Sequence, residues 1–175
     1  MHAKPDHRII AAESAGDLRH TADLFREYAA SLGVDLSFQA FEREVSSLPG
    51  AYAPPSGRLL LLFSASSIEP AGCVALRKLD DSICEMKRLY VRPEFRARSI
   101  GRALALALIT TAREIGYRAM RLDTLPEMQE AHKLYEELGF REIGPYCANP
   151  VEGVRYLEFD LSASLLKTSE KIECT

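Results

Sequence analysis

The chain has 175 residues, 47% of them hydrophobic and 27% charged, with a net charge of −3, which predicts one domain with a real core. The slightly acidic balance argues against a general nucleic-acid or anionic-membrane surface, because both need a basic face. No apolar run approaches the roughly 18 residues of a membrane span, and the N-terminal segment lacks the apolar core of a signal peptide, so we expect a cytoplasmic protein. The four cysteines and four histidines follow no ligand spacing, and we expect no metal site.

The first half of the chain predicts one strand, two helices and then three strands. Residues 8–12 form the first strand, and Ser14 with Asp17 makes the S-x-x-D pattern of a helix start, followed by apolar residues at helical spacing. Ser37 is a candidate cap for a second helix. The segments after it predict a loop over 51–57, a strand over 58–65, and an antiparallel hairpin of 71–79 with 82–91.

The second half alternates helices and strands. A helix is predicted from Ser99 to Ile115, with Gly116 as its stop. Strands are then predicted over residues 117–124, 140–144 and 154–161, and a helix over residues 128–138. Three consecutive strands followed by crossovers indicate an α/β (α+β) fold, in which a mixed sheet of about seven strands is flanked by about four helices. We expect one domain over residues 1–161 and a polar C-terminal tail over 162–175.

Arginines crowd the predicted helix start at Ser99. They are Arg92, Arg96, Arg98 and Arg102, and only Glu94 is near them in sequence to offset their charge. Because a helix N-terminus carries roughly half a positive charge, further cations there are unfavourable unless an anion is bound. A strand, a small-residue loop and a helix start can cradle such an anion, whereas the Walker A and dinucleotide glycine patterns are absent. A solvated arginine-rich turn is the alternative at this point.

Two sequence blocks resemble the GNAT superfamily of acetyl-CoA-dependent N-acetyltransferases. Residues 89–91, Leu-Tyr-Val, are similar to the L-x-V strand end of that family, and Arg96 to Gly101 is similar to its R/Q-x-x-G-x-G/A hallmark. The second block, A-x-x-L-Y-E-x-L-G-F, is matched in full by residues 131–140. Ser99 stands where the family favours glycine, and Met128 stands where many relatives carry asparagine.

The resemblance implies acetyl-CoA as cosubstrate. It also implies a mostly antiparallel sheet that splays between the strands at 82–91 and 117–124, where the pantetheine arm would lie. The coenzyme site would combine the strand end, the arginine loop and the helix start with one tyrosine. Its residues are Leu89, Tyr90, Val91, Arg96, Ala97, Arg98, Ser99, Ile100, Gly101, Arg102 and Tyr135.

Two residues are candidates for the chemistry. Tyr135 matches the family tyrosine that points at the coenzyme sulfur, and a phenol with a pKa of about 10 can donate a proton or a hydrogen bond to a leaving thiolate; the alternative is a core tyrosine. Glu85 is the candidate base, acting directly or through a water molecule, because strand alternation places it on the face of Leu89. The alternative is an exposed strand glutamate paired with Lys87 or Arg77.

The resemblance places the acceptor between the first two helices and the loop before the last strand. Candidates there are Tyr28, Tyr52, Tyr146 and Asn149, each also compatible with a structural role. Asp123, near the end of its strand, either holds a cationic substrate or caps the following turn. The segment 144–153 is long and rich in Pro and Gly for a hairpin, and it is predicted to be a specificity loop.

The expected activity is transfer of an acetyl group from acetyl-CoA to a primary amine by direct attack on the thioester. The expected partner is a small metabolite or amino-acid-like amine, with no nucleic acid and no membrane; a homodimer stays open. A protein N-terminal or lysine acetyltransferase is one alternative, although the bulky 144–153 loop argues against the open groove that it needs. A non-catalytic acyl-CoA sensor is the other.

Overall fold

A computed structural model describes residues 7–33, 35, 40–65, 67–96 and 99–162. The described strands are β1 (His7–Ala11), β2 (Arg58–Ser64), β3 (Pro70–Lys78), β4 (Ile83–Val91), β5 (Ala119–Thr124), β6 (Arg141–Ile143) and β7 (Arg155–Asp160). The described α-helices are α1 (Ala15–Ser31), α2 (Phe41–Ser46), α3 (Ile100–Ile115) and α4 (Gln129–Leu138). Short 3-10 helices lie at Gly50–Tyr52 and Pro93–Phe95. The order of elements predicted from sequence is confirmed.

The strands form one seven-stranded sheet in the order β1-β2-β3-β4-β5-β7-β6. Every neighbouring pair is antiparallel except β4 and β5, which run parallel. The chain passes from β4 to β5 through α3, and such a crossover is what a parallel pair requires. The predicted fold class, a mixed and mostly antiparallel sheet flanked by four helices, is confirmed.

Local signals set the ends of several helices. Ser14 and Asp17 form a reciprocal capping box at the start of α1. Gly116 and Gly139 end α3 and α4 in the left-handed region, with φ of 106° and 102°, where a Cβ would be strained. Ser37, the predicted cap of the second helix, lies outside the described residues.

Two apolar cores cover the two faces of the sheet. Side chains of α3 and α4, such as Leu104, Leu108 and Tyr135, pack on one face. Side chains of α1 and α2, such as Phe25 and Phe41, pack on the other. Within the described ranges, no helix combines the length and the apolar character needed to cross a membrane.

The ladder between β4 and β5 is short. It pairs Ile83 with Ala119, Cys84 with Met120 and Glu85 with Arg121, and no further pair extends it, although β4 continues to Val91 and β5 to Thr124. The two strands therefore separate beyond Glu85, which leaves a gap in the middle of the sheet. The predicted splay lies at this point.

A bulge interrupts β4 just beyond the separation point. Opposite β3, the register moves from Cys73–Tyr90 to Ala75–Lys87, so three steps along β4 face two along β3. Arg88 sits at this bulge with φ of 57°, in the left-handed region that a residue with a Cβ rarely adopts. One extra residue in a strand reverses which face the following side chains point to.

The bulge makes one sequence prediction wrong. Leu89 and Val91 pack against the α3 side of the sheet. Glu85 pairs across the strands with Arg77, and Arg77 points to the α2 side, where it lines a cavity with Tyr52. Glu85 therefore lies on the face opposite to Leu89, because the alternation assumed from sequence does not survive the extra residue at Arg88.

Candidate functional site

A cleft opens where β4 and β5 separate. Its walls come from α1, β4, β5, α4 and the segment before β7. Its polar side chains include Tyr28, Lys87, Arg88, Asp123, Tyr135 and Asn149. The fold thus brings Tyr28, Asp123, Tyr135 and Asn149, all predicted from sequence, into one cleft together with Leu89.

Tyr135 projects from α4 into this cleft. The residue is buried, and its ring packs against Phe140 with centroids 5.5 Å apart. Among the described residues, no hydrogen bond engages its hydroxyl group. Burial raises the pKa of the Tyr135 phenol above its ordinary value, with smaller contributions from Tyr28 and Asp123. The group is therefore a protonated donor that faces the cleft without a described acceptor.

Lys87 and Asp123 form an ion pair across the gap. Lys87 Nζ lies 3.0 Å from Asp123 Oδ1, and the two side chains are 10% and 9% exposed. Asn149 Nδ2 donates to Asp123 Oδ2 at 2.9 Å. Burial alone would raise the pKa of Asp123, but Lys87 and Asn149 outweigh it and hold that pKa below its ordinary value. Asp123 is therefore a stable anion in the cleft wall.

Glu85 lies behind this pair and is fully buried. Arg77 Nε donates to Oε2 at 2.6 Å, and the Tyr146 hydroxyl donates to Oε1 at 2.7 Å. Lys87 Nζ is 3.9 Å from Oε1. Burial, and then Glu85, raises the pKa of the Tyr146 phenol. The pairing with Arg77 agrees with the alternative drawn from sequence, but the glutamate is buried rather than exposed, and it does not line the cleft.

Arg88 and Glu44 form a second buried ion pair beside the cleft. Arg88 Nη2 and Nε donate to Glu44 at 2.6 and 3.1 Å, and the Tyr52 hydroxyl donates to Glu44 Oε1 at 2.7 Å. The Arg88 guanidinium lies 5.9 Å from the Tyr28 ring. Burial raises the pKa of Tyr28 to about 12. Tyr52, a sequence candidate for the acceptor pocket, lines a separate cavity with Glu44 and Arg77 instead.

A groove at the start of α3 adjoins the end of β4. It is lined in part by Val91, Arg96, Ser99, Gly101 and Arg102. The Arg96 Nε group donates to the Val91 carbonyl at 3.1 Å. Arg102 Nη1 lies 3.4 Å from Glu137, and both side chains are exposed. Two arginines and the open end of a helix therefore line one groove, whose other wall carries Glu130 and Glu137.

The backbone at this helix start is arranged for an anion. Ser99 precedes α3 with φ of 55°, its side chain makes no capping hydrogen bond, and the first turn holds no acidic residue. The first intrahelical hydrogen bond is donated by the Ala103 amide to the Ser99 carbonyl. The backbone amides of residues 100–102 therefore precede the hydrogen-bonded part of the helix. A Cβ built on Gly101 would make ordinary contacts, at 3.7 Å to Leu134 and 3.8 Å to Val91. The packing of the chain therefore does not require glycine at position 101. Because Gly101 has no side chain, the groove stays open at this point.

Some predicted coenzyme residues are placed differently or not described. Ala97 and Arg98 lie outside the described residues. Tyr90 faces the α1 side, with its ring centroid 6.1 Å from that of Tyr28. Arg92 is engaged elsewhere, since its guanidinium contacts Glu27 of α1 at 2.8 Å. Glu94 is the nearby carboxylate in sequence, but the fold also brings Glu27 of α1 to Arg92 and Glu137 of α4 to Arg102.

Sequence reasoning missed Lys87, Arg88 and Glu44. The available signal was the charged group of Glu85, Lys87 and Arg88 inside a strand with apolar ends, in which the adjacent pair Lys87-Arg88 interrupts simple alternation. Within the described ranges, no group of three side chains could hold a metal ion. The described cysteines, Cys73, Cys84 and Cys147, are free thiols.

Sequence comparison identifies relatives with acetyltransferase names. The profile of the Acetyltransferase (GNAT) family matches residues 22–140. An uncharacterised N-acetyltransferase of Schizosaccharomyces pombe is 36% identical over 155 residues, which cover 88% of this chain and 94% of the relative. N-acetylaspartate synthetase of Danio rerio is 32% identical over 106 residues, which cover 60% of this chain and 37% of that enzyme.

Solved structures share the fold at low sequence identity. An acetyltransferase from Streptococcus agalactiae superposes with a TM-score of 0.73 at 20% identity, covering 90% of this chain and 99% of the other. An N-acetyltransferase from Thermoplasma acidophilum, solved in complex with coenzyme A, superposes with a TM-score of 0.67 at 18% identity, covering 88% and 98%. The family profile matches residues 22–140, which is more than half of this chain, and the Schizosaccharomyces pombe relative is 36% identical with 94% of its length covered. This chain therefore belongs to the GNAT family of acetyltransferases.

Proposed function

We propose that this protein transfers an acetyl group from acetyl-CoA to the primary amine of a small, amino-acid-like acceptor. The observation that carries the proposal is the Tyr135 hydroxyl, a buried donor without a described partner, in a cleft that also holds the Lys87–Asp123 pair. The similarity to N-acetylaspartate synthetase supports an amino-acid acceptor.

The coenzyme would bind along the groove and the gap between the strands. In the groove, Arg96, Arg102 and the amides from Ile100 to Arg102 suit the pyrophosphate, because charge-assisted hydrogen bonds and helix N-termini favour phosphate oxygens. In the gap, β4 is not paired with β5 beyond Glu85. The backbone on this edge of β4, from Leu89 to Val91, suits the amides of the pantetheine arm, although the Val91 carbonyl already accepts a hydrogen bond from Arg96.

In the proposed reaction the acceptor amine attacks the carbonyl carbon of the thioester, and the carbon–sulfur bond then breaks. The Tyr135 hydroxyl donates a hydrogen bond to the leaving thiolate, whose pKa as a free thiol is about 8.5. Because burial raises the pKa of Tyr135, its proton stays on the phenol at neutral pH, and solvent protonates the thiolate after release. Acetyl-CoA supplies the activated acyl group, and Tyr135 supplies the hydrogen bond that stabilises coenzyme A as it leaves.

The proton on the acceptor amine needs a separate route. Asp123 has a lowered pKa, so it suits the binding of an ammonium ion better than the removal of its proton. Glu85 remains the proposed base, but only indirectly, because its carboxylate is buried behind Lys87 and Tyr146. A water molecule or one of those side chains would have to connect it to the amine.

The segment before β7 favours a small acceptor over a polypeptide. Tyr146 and Asn149 anchor this segment to Glu85 and Asp123, and Tyr156 donates to the Cys147 carbonyl at 3.3 Å. The segment therefore packs against the side of the cleft where the acceptor is proposed to bind. A protein substrate would need this side to be open.

Thiol release from acetyl-CoA, measured with a panel of amines and amino acids, tests the proposal. We expect acceptor-dependent release, with the acetylated amine identified by mass and no release in the reaction without acceptor. Binding of acetyl-CoA without turnover on any amine would contradict the proposal and favour a sensor. Faster acetylation of peptide N-termini or lysines than of small amines would favour the polypeptide alternative.

A further inference from the structure

We propose that the Lys87–Asp123 pair binds the two charged ends of a zwitterionic α-amino acid, with Asp123 on the ammonium group and Lys87 on the carboxylate. The inference rests on the proposed function and narrows its acceptor from any small amine to one that carries a carboxylate beside the amine. It also adds Lys87 to the site as the residue that selects for that carboxylate.

The position of the pair connects it to the reacting centre. Glu85 and Arg121 are the last paired residues of β4 and β5, and Lys87 and Asp123 each lie two residues further along their strands. The pair therefore spans the gap where the strands have just separated. Tyr135 lines the same cleft, so an amine held at Asp123 lies beside the proposed hydrogen-bond donor to the thiolate.

The energetics of the pair favour a binding role over a structural one. The two side chains are only 10% and 9% exposed, so both charges are largely desolvated. A buried ion pair is weak support for stability, because an apolar pair of similar size often stabilises a fold equally well. Two charges kept at the wall of a cleft are better explained by a ligand that uses them.

The other charged side chains near the cleft already have partners, so the charges of a bound acceptor have to match those of Lys87 and Asp123. Arg88 is held by Glu44, and Glu85 is held by Arg77 and Tyr146. A simple amine bound to Asp123 would displace Lys87 and leave its buried ammonium group with only Glu85, which is 3.9 Å away and already bonded to Arg77 and Tyr146; such a loss of pairing is costly. A zwitterion would satisfy both groups, because its ammonium replaces Lys87 at Asp123 while its carboxylate binds Lys87.

The two side chains are suited to this exchange. Asn149 donates to Asp123 Oδ2 and so orients the carboxylate. Lys87 donates to the other oxygen, Oδ1, and this oxygen can accept from the acceptor ammonium once Lys87 moves away. Lys87 is a point charge on a flexible four-carbon stem, so it can retract to admit the ligand between the two groups.

The test compares each L-amino acid with its own α-carboxamide, which keeps the size and the amine but removes the negative charge. Acceptor-dependent thiol release gives kcat/KM for both. We expect the preferred amino acid to exceed its carboxamide by about 10- to 100-fold, the usual worth of a charge-assisted hydrogen bond. Lys87→Met should abolish this preference, so that the amino acid and its carboxamide are used with similar kcat/KM. Lys87→Arg should restore part of it.

Three controls keep the result interpretable. Lys133→Met removes an exposed lysine of α4 and should leave kcat/KM unchanged for both the amino acid and its carboxamide. Thermal unfolding and calorimetric binding of acetyl-CoA check that Lys87→Met is folded. Binding of the amino acid and its carboxamide to the coenzyme A complex, measured by thermal shift, reports the same preference without turnover.

The outcomes separate the two proposals. Equal kcat/KM and equal binding for amino acid and carboxamide in the wild type would overturn this inference while leaving amine acetylation intact. An equal loss for both acceptors in folded Lys87→Met would also overturn it. Selective binding of amino acids without acetyl transfer to any amine would support the binding pair and contradict the proposed function.

Discussion

Arg88 and Glu44 lie 44 positions apart in sequence and meet through two hydrogen bonds, with Nη2 and Nε of Arg88 at 2.6 and 3.1 Å from the carboxylate. This pair ties α2 to the bulge of β4, at a residue whose φ of 57° is otherwise unfavourable. Left-handed backbone at a residue with a Cβ costs about 1–2 kcal/mol. The ion pair offsets that cost and so holds the bulge on which the geometry of the cleft depends.

Removing Glu44 should therefore destabilise the protein strongly. We expect Glu44→Ala to lower the free energy of unfolding by about 3–5 kcal/mol, because it leaves the buried Arg88 charge without its partner. Urea denaturation measures the change. Arg26→Ala, which breaks the exposed pair with Asp23, is the control and should change stability by less than about 1 kcal/mol. Equal effects of the two substitutions would show that the buried pair does not hold the bulge.

Stability should fall in acid through Glu44 and Asp123. Burial raises the pKa of each, but Arg88 for Glu44 and Lys87 for Asp123 outweigh it, so both folded-state pKa values lie below the ordinary 4.5 and 3.8. A depressed folded pKa adds stability that is complete above the unfolded pKa and is lost as the pH falls through the folded one. Urea denaturation from pH 7 to 3 should show this loss below about pH 4.5. Glu44→Ala should weaken the dependence; an unchanged slope would remove Glu44 as a contributor.

Tyr135→Phe should reduce turnover selectively. We expect kcat to fall by roughly 10²–10⁴, the range for loss of a group that donates to the reacting atoms, while acetyl-CoA affinity and thermal stability change little, since no described partner of the hydroxyl is lost. Tyr117→Phe is the matched control, because the Tyr117 hydroxyl donates to the Ser56 carbonyl at 2.7 Å away from the cleft. It should lower stability by about 1 kcal/mol without affecting kcat. Full activity of Tyr135→Phe would exclude the hydroxyl from the mechanism.

Ser99→Gly should stabilise the fold. Relief of the left-handed strain at φ of 55° is worth about 1–2 kcal/mol, and the greater freedom of glycine in the unfolded chain offsets about 0.5–1 kcal/mol of it. A net gain of about 0.5–1 kcal/mol is expected in urea denaturation. Ser99→Ala keeps the Cβ and should leave stability nearly unchanged. A loss of stability in the glycine variant would mean that the serine side chain contributes to the helix start.

Arg96→Ala should weaken acetyl-CoA binding by about 10- to 100-fold, through loss of one charge-assisted phosphate contact. Calorimetric titration measures the affinity, and the KM for the acceptor should change far less. Arg118→Ala removes an exposed arginine beyond the other end of α3 and should have no effect. Unchanged affinity in Arg96→Ala would contradict the assignment of the groove to the coenzyme phosphates.

The sequence alone was sufficient for the elements and for much of the cleft. The capping box of Ser14 and Asp17, the stops at Gly116 and Gly139, and the apolar periodicities act within a few residues, so they can be interpreted without knowing the fold. These capping and periodicity signals depend on local backbone preference and do not require the rest of the chain. Tyr135 was predicted differently, from the resemblance of residues 131–140 to a GNAT sequence block.

The tertiary structure decided the face of Glu85 and the partners of the charged residues. A bulge is a property of two paired strands, so the alternation of β4 alone could not reveal that Arg88 reverses it. Lys87 meets Asp123 across 36 positions, and Arg92 meets Glu27 across 65. Opposite charges that far apart in sequence are brought together only by the packing of the sheet and helices, because their attraction is short-ranged in water and becomes strong once the fold has buried them.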